Sequence, residues 1–125
     1  MDIAVFAGQG AQFVGMGRDL SEKFSECEKL FREADEELGF SISGICFEGP
    51  EEELKLTQNT QPALLTVSTI LYRLMEKEPA FAAGHSLGEY SALVCAGVLR
   101  FEDAVLLVHK RGRYMQEAVP VGQGT

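Results

Sequence analysis

Hydrophobic positions recur along the chain with two different periods, and the alternation between them predicts its elements. Asp2 to Phe6 is a short apolar run that enters the Gly-rich segment Ala7-Gly8-Gln9-Gly10-Ala11-Gln12, the pattern of a buried strand running into a turn. From Gly17 to Leu38 the apolar residues Leu20, Phe24, Cys27, Phe31, Ala34 and Leu38 form the stripe of one amphipathic helix, with Gly39 as its stop. Ser41 to Phe47 predicts a short helix under a loop. Pro50 followed by Glu51, Glu52 and Glu53 is a helix first turn, with carboxylates at the positive end of the dipole. Thr60 and Pro62 open a largely apolar helix from Ala63 to about Lys77, and Pro79 ends it. Ala80 to Gly84 is a second apolar strand. Ser86 to Ala96 follows as a helix with Tyr90, Leu93 and Val94 inward, and Phe101 to about Ala118 as the last one, after Gly97. Strand, helices, strand, helix, helix is a parallel α/β layout. Two short strands cannot cover the apolar faces of helices 17–38, 60–77 and 101–118, so the isolated chain is expected to be marginally folded; independently, for want of a positioned histidine, it is expected to be inactive by itself.

Composition narrows the class. A chain of 125 residues with 46% hydrophobic and 24% charged content has the makings of one globular domain. The net charge of −8 disfavours nucleic acid, which is bound through clustered Lys and Arg. The densest basic group is Lys110, Arg111 and Arg113. Cys27, Cys46 and Cys95 are odd in number and lack CxxC spacing, against a disulfide framework or a zinc site and in keeping with a reduced, cytoplasmic setting. The start Met1-Asp2-Ile3-Ala4-Val5-Phe6 has no basic n-region, so no signal peptide is expected, and the run Ala63 to Leu74 is too short to span a membrane.

The chemistry centres on Gly84-His85-Ser86-Leu87-Gly88, which falls between the second strand and the next helix. A serine on a strained strand-to-helix turn needs neighbours two residues away that lack side chains, and Gly84 and Gly88 meet that need. The turn presents Ser86 as a nucleophile and sets the amide of Leu87, at the helix start, where a developing oxyanion would sit. The plain alternative is a Ser N-cap flanked by glycines. His85 is adjacent to the serine and diverges from it, and His109 lies on the last helix. Both read as structural, which leaves the nucleophile without a general base in this chain.

The loop Gly8 to Gln12 is not a dinucleotide fingerprint, because the third glycine is not at the required spacing. It is either a plain turn or the source of a second oxyanion-hole amide. On the last helix Ala104, Val108, Arg111 and Met115 share one face, which sets the Arg111 guanidinium among apolar side chains. A buried arginine needs a partner. The choice lies between an internal salt bridge to Glu89 or another acid and a fork for a substrate carboxylate.

Four blocks in order, Gly8-Gln9-Gly10-Ala11-Gln12, Thr60-Gln61-Pro62-Ala63-Leu64, Gly84-His85-Ser86-Leu87-Gly88-Glu89-Tyr90-Ser91-Ala92 and Arg111-Gly112-Arg113-Tyr114-Met115-Gln116, resemble the malonyl-CoA:acyl carrier protein transacylases of dissociated fatty acid synthesis. Leu87 and Tyr90-Ser91 are more similar to the freestanding bacterial type than to polyketide synthase modules. Ala7 stands where many members have Pro. The resemblance implies an acyl-Ser86 ester, the amides of Gln9 and Leu87 as oxyanion hole, and Arg111 on the free carboxylate of malonyl. It implies ping-pong transfer from coenzyme A to the phosphopantetheine thiol of acyl carrier protein, with the coenzyme A thioester as substrate and no cofactor or metal. It further implies that residues 1–125 are the N-terminal part of an α/β-hydrolase-like acyltransferase core with parallel strands. They would stop where a ferredoxin-like subdomain begins, with the catalytic histidine in a missing C-terminal half. A serine esterase or thioesterase, or an inert fragment, are the rival readings; neither needs Arg111.

Overall fold

The computed structural model describes residues 3–6, 8, 10–75, 81–84 and 86–118. Among these the order is β1 (Ile3–Phe6), α1 (Arg18–Lys23), α2 (Ser25–Leu38), α3 (Ile42–Glu48), α4 (Glu51–Lys55), α5 (Thr57–Met75), β2 (Phe81–Gly84), α6 (Leu87–Cys95) and α7 (Phe101–Ala118). The two strands pair in parallel with Ile3 opposite Phe81 and Phe6 opposite Gly84. The parallel α/β layout therefore holds. Both strands deliver the chain to the same end of the sheet, where the Gly8–Gln12 segment and the turn at Ser86 follow them.

The stripe expected as one helix over 17–38 is instead two. The chain turns extended at Phe24 (φ −126°, ψ 120°), which closes α1 and opens α2. Charge explains why a break is tolerated there: Lys23 ends α1, and Glu26 and Glu28 lie in the first turn of α2, each favourable at its own terminus. Phe24, expected inward, is 43% exposed, while Cys27, Leu30, Phe31 and Ala34 of α2 are buried. Gly39 stops α2 as expected, in the left-handed region at φ 79°, with its amide donating to the Asp35 carbonyl at 2.9 Å. The Asp35 carboxylate then accepts from the amide and hydroxyl of Ser43 at 2.9 and 2.6 Å, tying the start of α3 to α2.

Helix α5 begins at Thr57, upstream of the expected opening at Thr60 and Pro62, so Pro62 lies inside the helix. A proline there leaves the carbonyl four residues earlier, that of Gln58, without its helical donor. His109 of α7 fills the gap, its Nδ1 lying 2.9 Å from the Gln58 oxygen. The amide of Thr57, another orphan of the helix start, donates to Gln116 Oε1 at 3.0 Å. Two polar side chains of α7 thus complete the first turns of α5. The helices meet closely: a Cβ at Gly112 would stand 2.6 Å from the Thr57 oxygen and 2.7 Å from Gln58 Cα.

Helix α6 also departs from expectation in its orientation. Leu87, Gly88, Ser91 and Ala92 are buried, whereas Leu93, expected inward, is 39% exposed, and Tyr90 and Val94 are half-buried. The small side chains at Gly88, Ser91 and Ala92 let α6 lie close against the two strands, and the helix turns that face inward. The core beneath joins Phe31, Leu30, Ile42, Leu54, Leu65, Ile70, Val105 and Val108, with the Phe31 and Phe47 rings edge to face at 4.8 Å. No helix among the described residues is long and apolar enough to cross a membrane.

Candidate functional site

The site is built where β2 passes into α6. Ser86 has φ 55° and ψ −112°, and among the described residues it alone of the non-glycines has positive φ. Holding an L-residue there costs about 1–3 kcal/mol, a strain that folded proteins retain mainly where geometry matters for function. The alternative reading, a serine side chain capping the helix, fails: Ser86 occupies the N-cap position by its backbone, its carbonyl accepting from the Glu89 amide at 3.0 Å, but its side chain makes no cap hydrogen bond. The hydroxyl is exposed and turned to another partner. Arg111 Nη2 donates to Ser86 Oγ at 3.1 Å.

Arg111 sits half-buried on α7, one residue before the close contact at Gly112. Its Nη1 donates to Gln61 Oε1 at 2.8 Å, and its guanidinium carbon lies 5.4 Å from the centre of the Tyr90 ring. The internal salt bridge weighed as its alternative role is absent among the described residues: the ion-paired arginines there are Arg18, Arg32 and Arg100, and Glu89 is exposed. Of the face expected from the α7 spacing, Ala104 and Val108 are fully buried, while Met115 is 41% exposed. Arg111 therefore stands at the rim of the apolar face, where it can be held and still meet a ligand.

Leu87, the proposed oxyanion-hole residue on this side, is the first residue of α6 and its side chain is buried. Gln9 and His85 lie outside the described residues. Among the described neighbours of Gln9 the Ala11 amide donates to the Gly8 carbonyl at 3.3 Å and the Gly10 amide to Gln12 Oε1 at 2.7 Å. Gly10 has φ 111°, a conformation that requires glycine. His109 serves the Gln58 carbonyl and so has the structural role expected of it. Lys110 and Arg113 are exposed, and Arg113 lies over the Tyr114 ring at 5.7 Å. The three cysteines are unpaired; burial pushes the Cys46 thiol up to about 12 and the Cys95 thiol up to about 11, so neither is a nucleophile at neutral pH. Among the described residues no cluster of His, Cys, Asp and Glu could hold a metal ion.

Gln61 is a residue of this site that hydropathy patterning does not single out. It is wholly buried at the head of the run Ala63-Leu64-Leu65, and that was the available signal: a polar side chain opening an apolar helical face must find a partner inside.

Residues 3–125 match the family of the acyl transferase domain. The malonyl CoA-acyl carrier protein transacylase of Bacillus subtilis (strain 168) is 56% identical over 123 residues, covering 96% of this chain and 39% of that protein. An acyl carrier protein S-malonyltransferase from Vibrio cholerae superposes with a TM-score of 0.90 at 49% identity, over 96% of this chain and 40% of that one. A malonyl-transacylase solved in complex with its type II PKS acyl-carrier protein has a TM-score of 0.89 at 50% identity, with the same coverage, 96% and 40%. The chain thus spans about two-fifths of the length of the relatives it matches. From the strained serine, the helix start behind it and the match along nearly its whole length, the chain belongs to the acyl transferase domain family.

Proposed function

We propose that this chain supplies the nucleophile and the acyl-carboxylate clamp of a malonyl-CoA:acyl carrier protein transacylase. The observation that carries the reading is the Arg111 guanidinium placed 3.1 Å from the hydroxyl of a strained Ser86 with no carboxylate paired to it among the described residues. In the first half-reaction Ser86 Oγ attacks the thioester carbonyl carbon of malonyl-CoA. The C–S bond breaks, and coenzyme A leaves as a thiol with the proton that a general base took from the serine. In the second, the phosphopantetheine thiol attacks the acyl ester, the C–O bond breaks, and the proton returns to Oγ. The amides of Leu87 and Gln9 are assigned to the oxyanion of each tetrahedral intermediate. A malonyl ester carries its free carboxylate one methylene beyond the ester carbonyl, within reach of a guanidinium that already touches Oγ.

No histidine among the described residues stands beside Ser86, and His109 is engaged elsewhere. The base is therefore assigned to the three-fifths of the related proteins that this chain does not span. Residues 1–125 are read as the first part of an α/β-hydrolase-like core, the remainder of which, with a ferredoxin-like subdomain, would complete the enzyme.

The test compares malonyl-CoA with acetyl-CoA in the full-length chain that carries this segment. Peptide mass mapping should find the acyl adduct on Ser86 and lose it in Ser86→Ala. Arg111→Ala should lose about 2–5 kcal/mol of transition-state stabilisation for malonyl and much less for acetyl, because only malonyl presents the carboxylate. Equal losses for both donors would return Arg111 to a structural role. Release of the acyl group to water instead of to a pantetheine thiol would make the protein a hydrolase.

A further inference from the structure

Among the described residues Arg111 is held by three groups, and none of them is charged. They are the Gln61 amide oxygen at 2.8 Å, the Ser86 hydroxyl at 3.1 Å and the face of Tyr90. We propose that Gln61 is the positioning and specificity-determining residue of the acyl pocket: it anchors the Arg111 guanidinium without neutralising it, and so reserves its charge for acyl groups that bear a free carboxylate. The inference rests on the malonyl reading of Arg111 given above.

The orientation of the Gln61 amide is dictated from its other end. Nε2 lies 3.2 Å from Met115 Sδ, one helical turn beyond Arg111 on α7. A thioether sulfur can accept a hydrogen bond and has no proton to donate. The –NH₂ must therefore face Met115 and the oxygen must face Arg111, since a flipped amide would set two donors against each other. Because Gln61 is fully buried, no water is at hand to stand in for either contact. Gln61 itself is fixed by α5, whose first turn is locked to α7 by Gln116 and His109.

Glutamate has nearly the same shape as glutamine and would hold Arg111 at least as well. Against the half-buried guanidinium it would also cancel much of the charge, and a substrate carboxylate would then meet a near-neutral pair in place of a cation. Selection of a carboxylate-bearing acyl group thus depends on an uncharged acceptor at residue 61 as much as on the arginine.

The experiment measures malonyl and acetyl transfer, and single-turnover loading of Ser86 by intact mass, in the full-length chain with Gln61→Glu, Gln61→Met and Arg111→Ala. Gln61→Glu should lower the malonyl-to-acetyl ratio of kcat/KM by about 10–100-fold, carried mainly by KM for malonyl-CoA. Gln61→Met fills the same space, loses the anchor and keeps the charge, and should lower the ratio by about tenfold. A ratio unchanged in both variants overturns the proposal, and so does equal loss for both donors. If Gln61→Glu gives no cooperative melt, Gln61→Met decides alone on the same criterion. A ratio that falls in Arg111→Ala but not in the Gln61 variants refutes the role of Gln61 only. A ratio unmoved by Arg111→Ala refutes the reading on which it rests.

Discussion

Gly112→Ala is expected to destabilise the protein, although an exposed-helix rule says the opposite. Replacing glycine by alanine inside a helix normally gains about 0.5–1 kcal/mol from backbone entropy. Here the new Cβ would stand 2.6 Å from the Thr57 oxygen, 2.7 Å from Gln58 Cα and 2.9 Å from Gln58 N. All three are backbone atoms of α5, so no side chain can rotate away and the helices themselves must separate. Overpacking of this kind costs about 1–3 kcal/mol, and the substitution should therefore be net destabilising by about 1–2 kcal/mol. The local effect should exceed the global one. Moving α7 away from α5 stretches the 2.8 Å bond between Arg111 and Gln61 and the 2.9 Å contact between His109 and Gln58, so malonyl transfer should fall before stability is exhausted. Denaturant melts and transfer assays on the same full-length variant check both parts. A Gly112→Ala protein as stable as the parent and equally active would show that the α5–α7 contact is not as close as described.

Three further outcomes follow, one from the α5–α7 contact and two from the buried thiols. His109→Leu leaves the carbonyl freed by Pro62 without a donor in a partly buried site, and should cost about 1–3 kcal/mol in a denaturant melt; an unchanged midpoint would mean that the Gln58 carbonyl finds water instead. The Cys46 thiol, raised by burial from the ordinary 9.0 to about 12 with Asp35 adding to the effect, stays neutral in the folded chain while an unfolded one ionises above pH 9. The unfolded state then binds fewer protons, so stability should fall as pH rises from about 9 toward 12, and a Cys46→Ala variant should show a flatter decline over that window. At neutral pH iodoacetamide should leave Cys46 and Cys27 unmodified in the folded protein and label them only on unfolding; rapid labelling of the native chain would contradict their burial.

Much of the arrangement was legible before the structure, and the failures have separate physical causes. Both strands and α7 were readable because each is bounded by strong punctuation and carries an unbroken period. The break at Phe24 was hidden because the apolar period runs through it in phase; only the switch from Lys23 to Glu26 and Glu28 marks it. The start of α5 at Thr57 is hidden in the sequence because Pro62 suggests a first turn, and the donor that lets it lie deeper, His109, comes from 47 residues further along the chain (109 − 62). The inward face of α6 is not legible from hydrophobicity, which favours Leu93 over Gly88 and Ser91, whereas close contact with the strands favours small size. Ser86 was legible from its two glycines. That Arg111 is held by Gln61 was not, since such a contact joins two helices 50 residues apart.

The pairing of β1 with β2 sets one limit on how early the sheet of this chain can close. Ile3 meets Phe81, 78 positions later (81 − 3), with all of α1 to α5 between them. Closing a loop of that length costs roughly 4 kcal/mol of chain entropy, which short four-residue strands do little to offset. At a synthesis rate of about 5–20 residues per second, β1 waits roughly 4–16 s after leaving the ribosome before its partner strand exists at all. Contacts close in sequence, such as those of α2 with α3 and α4 with α5, can form during that interval. Those helices can therefore be in contact before the sheet closes and before the turn at Ser86, which joins β2 to α6, has been made.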